Sequence, residues 1–405
     1  MAIGIIAEYN PFHAGHAHQI SEIKNFCDGE IVVVMSGSFT QRGEPTILDK
    51  WTRARLAIFG GADLVLELPF VKAVRSAQDF ACGGIKLLES LGVVDTLAFS
   101  AEVVDVAKLK LAAATFDEKF FAEELHRLME QGISYAAAVT KILSNVTSLD
   151  EKFLRQPNTI LAIEYLRALP KNFSPLLIER VGAAYDDLTL RENFSSASAI
   201  RAAVQEKFSA WEKISAQVDK ETLQALREEK ISGLVDEKFL FRPLMAKLLT
   251  ARVDALKKIY GMTEGLEFRL LKAKSLLIPN SKFLIDFLVG RRYTASRIRR
   301  LLLYFLLGLT AEDVSEFDAT TCARVLAFNE RGRALLKKIS APIVTKLTKH
   351  LNRRDIHERR RTLEPYQKIL LLDVLATDLR AILFETPRPM ESDFSTPPFF
   401  VRGTL

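Results

Sequence analysis

In the first half of the chain, apolar residues fall into short continuous runs separated by amphipathic stretches. Residues 3–7 (Ile-Gly-Ile-Ile-Ala), 30–35 (Glu-Ile-Val-Val-Val-Met), 63–68 (Asp-Leu-Val-Leu-Glu-Leu) and 96–99 (Thr-Leu-Ala-Phe) have the length and β-rich composition of strands. Between them, residues 16–26, 50–59 and 76–91 read as helices. Strands apolar on both faces and alternating with helices are what a parallel sheet covered on both sides requires. The pattern predicts an α/β fold, doubly wound and Rossmann-like. From about residue 205 the pattern turns to longer helices, over 239–256, 283–288, 295–307 and 368–384, with few strand signals. A 405-residue chain exceeds what one core usually fills. The expected organisation is therefore an α/β domain over 1–204 and a mainly α-helical domain over 205–405, ending in a proline-punctuated, extended tail.

Doubly wound sheets bind ligands beyond the carboxyl ends of their strands. The polar segments at those ends are Tyr9-Asn10-Pro11-Phe12, the Gly/Ser-rich stretch 36–43, Pro69-Phe70 and Ser100-Ala101-Glu102. The first leads into His13-Ala14-Gly15-His16, with His18 two residues further on. In this order Pro11 fixes the turn and Gly15 permits close backbone approach to a phosphate. The following helix then directs its first N–H groups at that anion. His13 and His16 supply donors to oxygens that gain charge when an α-phosphorus becomes five-coordinate. A pair of helix-capping histidines is the alternative for the bare tetrapeptide.

Downstream, Phe194-Ser195-Ser196-Ala197-Ser198-Ala199-Ile200-Arg201 is a serine-rich turn followed by Ile-Arg. Taken alone it reads equally well as an N-cap with a surface arginine. Together the two segments resemble the paired signatures of the HxGH nucleotidyltransferase superfamily. By that resemblance Ser196 and Ser198 hold the triphosphate, and Arg201 pairs with phosphate beside the catalytic His13 and His16.

The resemblance tightens over residues 7–16, 38–45, 49–53, 61–69, 156–165 and 180–185, and continues more weakly through Arg291-Arg292-Tyr293-Thr294 to Arg299-Arg300. These segments are similar to the bacterial tRNA(Met) cytidine acetate ligase family. The resemblance implies activation of acetate by ATP to acetyl-adenylate, then acetyl transfer to N4 of the wobble cytidine of elongator tRNA(Met). It places ATP on the segment from Ile6 to Gln19, which includes Ala7, Glu8, Tyr9, Asn10, Pro11, Phe12 and Gly15, and on Ser100, Asn158 and Arg180. The family carries Asn where Ala14 stands and Gly where Ser100 stands.

Arg42 and Glu44 lie on the glycine-containing loop, where an arginine suits a carboxylate or pyrophosphate. Lys50 is a candidate for steering phosphate, or simply part of a solvated helix start. The net charge is +6, and the basic residues are densest at 291–300 and 346–361. Arg291, Arg292, Arg297, Arg299 and Arg300 are the expected tRNA contacts, with Tyr293 available to stack; a solvated cationic face is the alternative. Mg2+ is expected with ATP, held by phosphate oxygens and water, and no protein metal site is predicted. Cys27, Cys82 and Cys322 are widely spaced. With no export or membrane-spanning segment predicted, a cytoplasmic protein is expected; nothing specifies a stable protein partner. A small-molecule nucleotidyltransferase, or an RNA-binding protein with a vestigial nucleotide site, stays open beside the ligase reading.

Overall fold

A computed structural model describes the chain except for residues 103, 134, 181–188, 191–193, 207, 209, 264, 291–292, 358–361 and 403–405. Arg291 and Arg292, the Arg359-Arg360-Arg361 run and most of the 180–185 segment therefore lie outside the described residues.

The predicted strands form as β1 (Ala2–Ala7), β2 (Ile31–Ser36), β3 (Leu64–Leu68) and β4 (Val94–Ala101), joined by β5 (Ser174–Glu179). They pair in parallel in the order β5-β4-β1-β2-β3. β2 and β3 are buried along their whole length, which explains why their sequences are apolar without alternation. Side chains of β1 alternate between two cores. Ile6 packs on one face with the helix Ala77–Ser90, while Ile3 and Ile5 pack on the other with Ile20 and Ile23 of the helix Ala14–Phe26.

Chain direction across the sheet reverses at β1. β2 and β3 lie to one side of it, and β4 and β5 to the other. That reversal opens a crevice above the carboxyl ends of β1 and β4, where an α/β sheet places its ligand.

The second half contributes more strand than its pattern suggested. β6 (Ala323–Phe328) pairs antiparallel with β3, and β7 (Ile343–Val344) and β8 (Phe399–Phe400) pair with β6. The sheet thus extends past residue 204 into the C-terminal half. The helix expected over 239–256 is broken into a 3-10 turn Glu237–Leu240 and helices Phe241–Leu249 and Val253–Lys258. Pro243 is tolerated only in a first turn, which sets the start at Phe241, and Arg252 is extended.

Lys50 does not steer phosphate. It is fully buried, with Nζ 2.7 Å from Glu67 Oε1 and 2.7 Å from Asp393 Oδ1, and Arg324 contacts both acids. Two cations and two carboxylates pair with one another at β3 and β6, and fasten the C-terminal tail to the sheet.

Candidate active site

The turn after β1 builds the site from very local interactions. Tyr9 is left-handed (φ 46°) and the Asn10-Pro11 peptide is cis. Asn10 Oδ1 accepts from the Ile47 amide at 2.8 Å, and the Asn10 carbonyl accepts from Arg201 Nη1 at 2.8 Å. His13 then caps the helix Ala14–Phe26. Its Nδ1 accepts from the Gly15 amide at 3.0 Å, and His16 Nδ1 accepts from the His13 amide at 3.3 Å. The two rings stack with centroids 3.8 Å apart, and Tyr9 meets His16 edge-on at 4.7 Å.

Those two bonds decide the chemistry of the pair. An imidazole that accepts at Nδ1 carries its proton on Nε2 while neutral. Burial, reinforced by Arg180 and Arg201, pushes His13 down to about 3; burial, reinforced by His13 and Arg180, holds His16 well below the usual range. Both are therefore neutral Nε2–H donors at physiological pH. The capping role and the donor role are the same arrangement viewed from two ring atoms.

The helix N-terminus itself does not supply the expected amides. Ala14 N donates to the Gln217 carbonyl at 2.8 Å, Gly15 N to His13 and His16 N to the His13 carbonyl. With these first-turn donors engaged, the imidazole Nε2–H groups are the donors this turn has to offer an anion. Gly15 has a related reason for being glycine: a Cβ there would lie 2.9 Å from His13 Cε1. The requirement comes from the capping ring as well as from any phosphate.

A cavity of about 700 Å³ opens above this turn. From the first strand and its turn, Ile6, Ala7, Glu8, Tyr9 and Asn10 line it, and from the helix His13, Gly15, His16, His18 and Gln19. Ser100 and Asn158 face it from β4 and the helix Pro157–Ala168, together with Arg180; Ser196 and Arg201 close another side. Phe12 is turned into the core beneath the turn, next to Gly60. Pro11 fixes the turn below the wall, and Ser198 stands behind it, its hydroxyl 3.2 Å from Arg201 Nη2. Ser196 caps the helix Ala197–Gln205 by accepting from Ala199 N at 3.0 Å.

Several residues position the site without having been assigned a role of their own from the sequence. Glu102 accepts from Asn158 Nδ2 at 2.7 Å and from Thr159 N and Oγ1 at 2.8 and 2.9 Å, and lies 3.9 Å from Arg180 Nε. It ties two expected nucleotide contacts to the end of β4. Gln217, beyond the expected domain boundary, also accepts from Ser195 N at 2.7 Å, joining both signature segments. Arg53 is fully buried and donates to the Glu8, Ser36, Gly37 and Leu48 carbonyls, clamping the loop ends rather than a ligand.

The basic segment is also placed differently from a free cationic face. Arg300, with Thr294 and Ser296, lines the same cavity, and its Nη1 donates to the Gln41 carbonyl at 3.4 Å. Arg299 sits 2.8 Å from Glu237 and 3.8 Å from Glu44, which also pairs with Arg201 at 3.5 Å. Arg297 covers the Tyr293 ring at 4.7 Å, so that ring is engaged within the chain. Arg42 lines the cavity, as its loop position suggested.

The family model described as HIGH nucleotidyl transferase matches residues 1–393. The tRNA(Met) cytidine acetate ligase of Thermoanaerobacter sp. (strain X514) is 37% identical over 98% of both chains, and that of Caldanaerobacter subterraneus subsp. tengcongensis 38% over 98% of both. The chain belongs to the tRNA(Met) cytidine acetate ligase family. Its fold is shared with the crystal structures of Thermotoga maritima TmcAL, apo (TM-score 0.88, 31% identity) and bound with α-thio ATP (TM-score 0.86, 30% identity), each covering 100% of both chains. In this tRNA(Met) cytidine acetate ligase family member, the match spans both halves, as does the wall of the cavity.

Proposed function

We propose that the protein condenses acetate with ATP to acetyl-adenylate, releasing pyrophosphate, and transfers the acetyl group to N4 of the wobble cytidine of elongator tRNA(Met). The observation that carries this reading is the pair of neutral imidazoles in the cavity, their Nδ1 atoms engaged by backbone amides and their Nε2–H groups left as donors. Attack of an acetate oxygen on the α-phosphorus forms one P–O bond and breaks another. Negative charge then grows on the equatorial oxygens, where fixed donors act most strongly. Arg180 and Arg201 supply positive charge on the same cavity, and Asn158 and Ser196 supply polar contacts for the nucleotide. The family membership supports acetate as the acid and tRNA(Met) as the acceptor.

Mg2+ fits this chemistry through the nucleotide. Among the described residues no group of three His, Cys, Asp or Glu is arranged to hold a metal ion, whereas triphosphate oxygens and water form the usual Mg2+ shell. The half from residue 205 carries the tRNA surface in this reading, with Arg297 and the exposed Lys346 and Lys349 as its phosphate contacts and Arg300 turned inward to the nucleotide. Among the described residues no helix is long and apolar enough to cross a membrane, and we assign the activity to the cytoplasm, where its tRNA resides.

Incubation with ATP, radiolabelled acetate and tRNA tests the reading. Expected are label in elongator tRNA(Met) as N4-acetylcytidine and one pyrophosphate released per acetyl group. Pyrophosphate release with a different small substrate, and no label in RNA, would replace it by the small-molecule nucleotidyltransferase alternative.

A further inference from the structure

Acetyl transfer to an amine must dispose of a proton, and the imidazoles cannot take it. Each accepts a backbone N–H at Nδ1 and holds a proton on Nε2, so neither offers a free lone pair to the cavity. Carboxylates are the side chains that can take it, and four stand in or beside the cavity. Glu102 is engaged by Asn158 and Thr159, and Glu44 lies between Arg201 and Arg299. Glu179 is exposed at the end of β5.

Glu8 differs from all three. It follows β1 directly and lines the cavity beside His13, His16 and Arg201. Its Oε1 accepts from the Gln41 amide at 2.5 Å. Gln41 is itself fixed: Nε2 donates to the Arg75 carbonyl at 2.5 Å, and its carbonyl accepts from Arg300. The Glu8 carbonyl is held by Arg53 Nη1 at 2.5 Å. Both main chain and carboxylate are thus oriented before any ligand arrives, on a residue that lines the cavity.

We propose that Glu8 is the general base of the transfer step, accepting the proton that the cytidine N4 amine loses as it attacks the acetyl-adenylate carbonyl. This rests on the ligase reading above. In the step the N4–C bond forms and the C–O bond to the α-phosphate breaks. AMP leaves as the phosphate anion, and the amine proton passes to Glu8 and then to water. Formation of acetyl-adenylate from acetate anion moves no proton, so the base serves the second half-reaction. The groups facing Glu8 are Arg201, Arg53, Glu44 and Tyr165. Burial raises its pKa against the opposing Gln41 amide and the two arginines, toward the range in which a carboxylate is an effective base.

The test is single-turnover transfer from added acetyl-adenylate to elongator tRNA(Met), measured as a function of pH. The parent rate is expected to rise with pH and level off. Glu8→Gln, which keeps an oxygen for the Gln41 amide, is expected to lower transfer by about 10²- to 10⁴-fold and to flatten the profile. Transfer at the parent rate, or an unchanged profile, overturns the assignment. If Glu8→Gln does not fold or bind ATP, Glu8→Asp decides. Slower transfer that still rises with pH supports the base, and a flat profile overturns it. A parent enzyme that transfers nothing from acetyl-adenylate would refute the ligase reading instead, which keeps the two failures distinct.

Discussion

Replacing Gly15 by alanine separates the propensity of a helix from the geometry of its active-site cap. The added Cβ would stand 2.9 Å from His13 Cε1 and 3.1 Å from Nδ1. Carbon atoms settle at ~3.5–4.0 Å, so the ring must retreat by roughly 0.6 Å or more. Behind it lies His16, stacked at 3.8 Å and backed by Tyr9, so the movement passes to the second imidazole. On stability the effects nearly cancel: alanine gains ~0.5–1 kcal/mol over glycine in a helix, while weakening the cap loses ~0.5–2 kcal/mol. On rate they do not, because displacing a catalytic group by about 1 Å can cost ~100-fold. The expected outcome is a thermal midpoint close to that of the parent, with acetate-dependent ATP–pyrophosphate exchange reduced on the order of a hundredfold, mainly in kcat. Exchange at the parent rate in Gly15→Ala would refute both the donor role of His13 and the steric account of Gly15.

Nitrogen-resolved NMR should show His13 and His16 as neutral Nε2–H tautomers well below pH 6.5; for His13 the native value is about 3. An ordinary titration of either ring near ~6.5 would contradict the assignment. With both native values depressed, the unfolded chain binds the extra protons, so the stability these residues contribute is full above the unfolded value and is lost as pH falls toward 3, a slope that urea titrations at several pH values can check. Lys50→Met should destabilise the fold by ~3–5 kcal/mol, because Glu67 and Asp393 lose a buried partner. An unchanged urea midpoint would mean that Arg324 alone satisfies both acids. In tRNA binding across a salt series, Arg297→Gln should reduce the log–log slope by ~0.7–0.9. Arg299→Gln should leave the slope nearly unchanged, since Glu237 and Glu44 already match its charge; equal effects of the two substitutions would place both arginines on RNA.

What the sequence determined by itself is what short-range interactions decide. Strands β1 to β4 are legible because apolar runs buried on both faces have few other ways to leave water. The His13-to-His16 turn is legible because its defining bonds span two and three residues. The Ser196 cap is legible for the same reason. Their meeting in one cavity follows from the crevice rule for doubly wound sheets, itself a consequence of where chain direction reverses.

Tertiary structure alone decided the rest, because charge and polarity do not announce their partners along the chain. Lys50 has the sequence context of a solvated helix start, and only the arrival of Asp393 and Glu67 makes its burial affordable. β6 is too short and isolated a signal among helices to imply antiparallel pairing with β3. Glu102 acquires its role from Asn158 and Thr159, more than fifty residues away. Arg299 and Arg300 occupy one basic run, yet the first is paired with two carboxylates and the second lines the cavity above the His13-to-His16 turn, because neighbouring positions on a helix point about 100° apart and meet different walls.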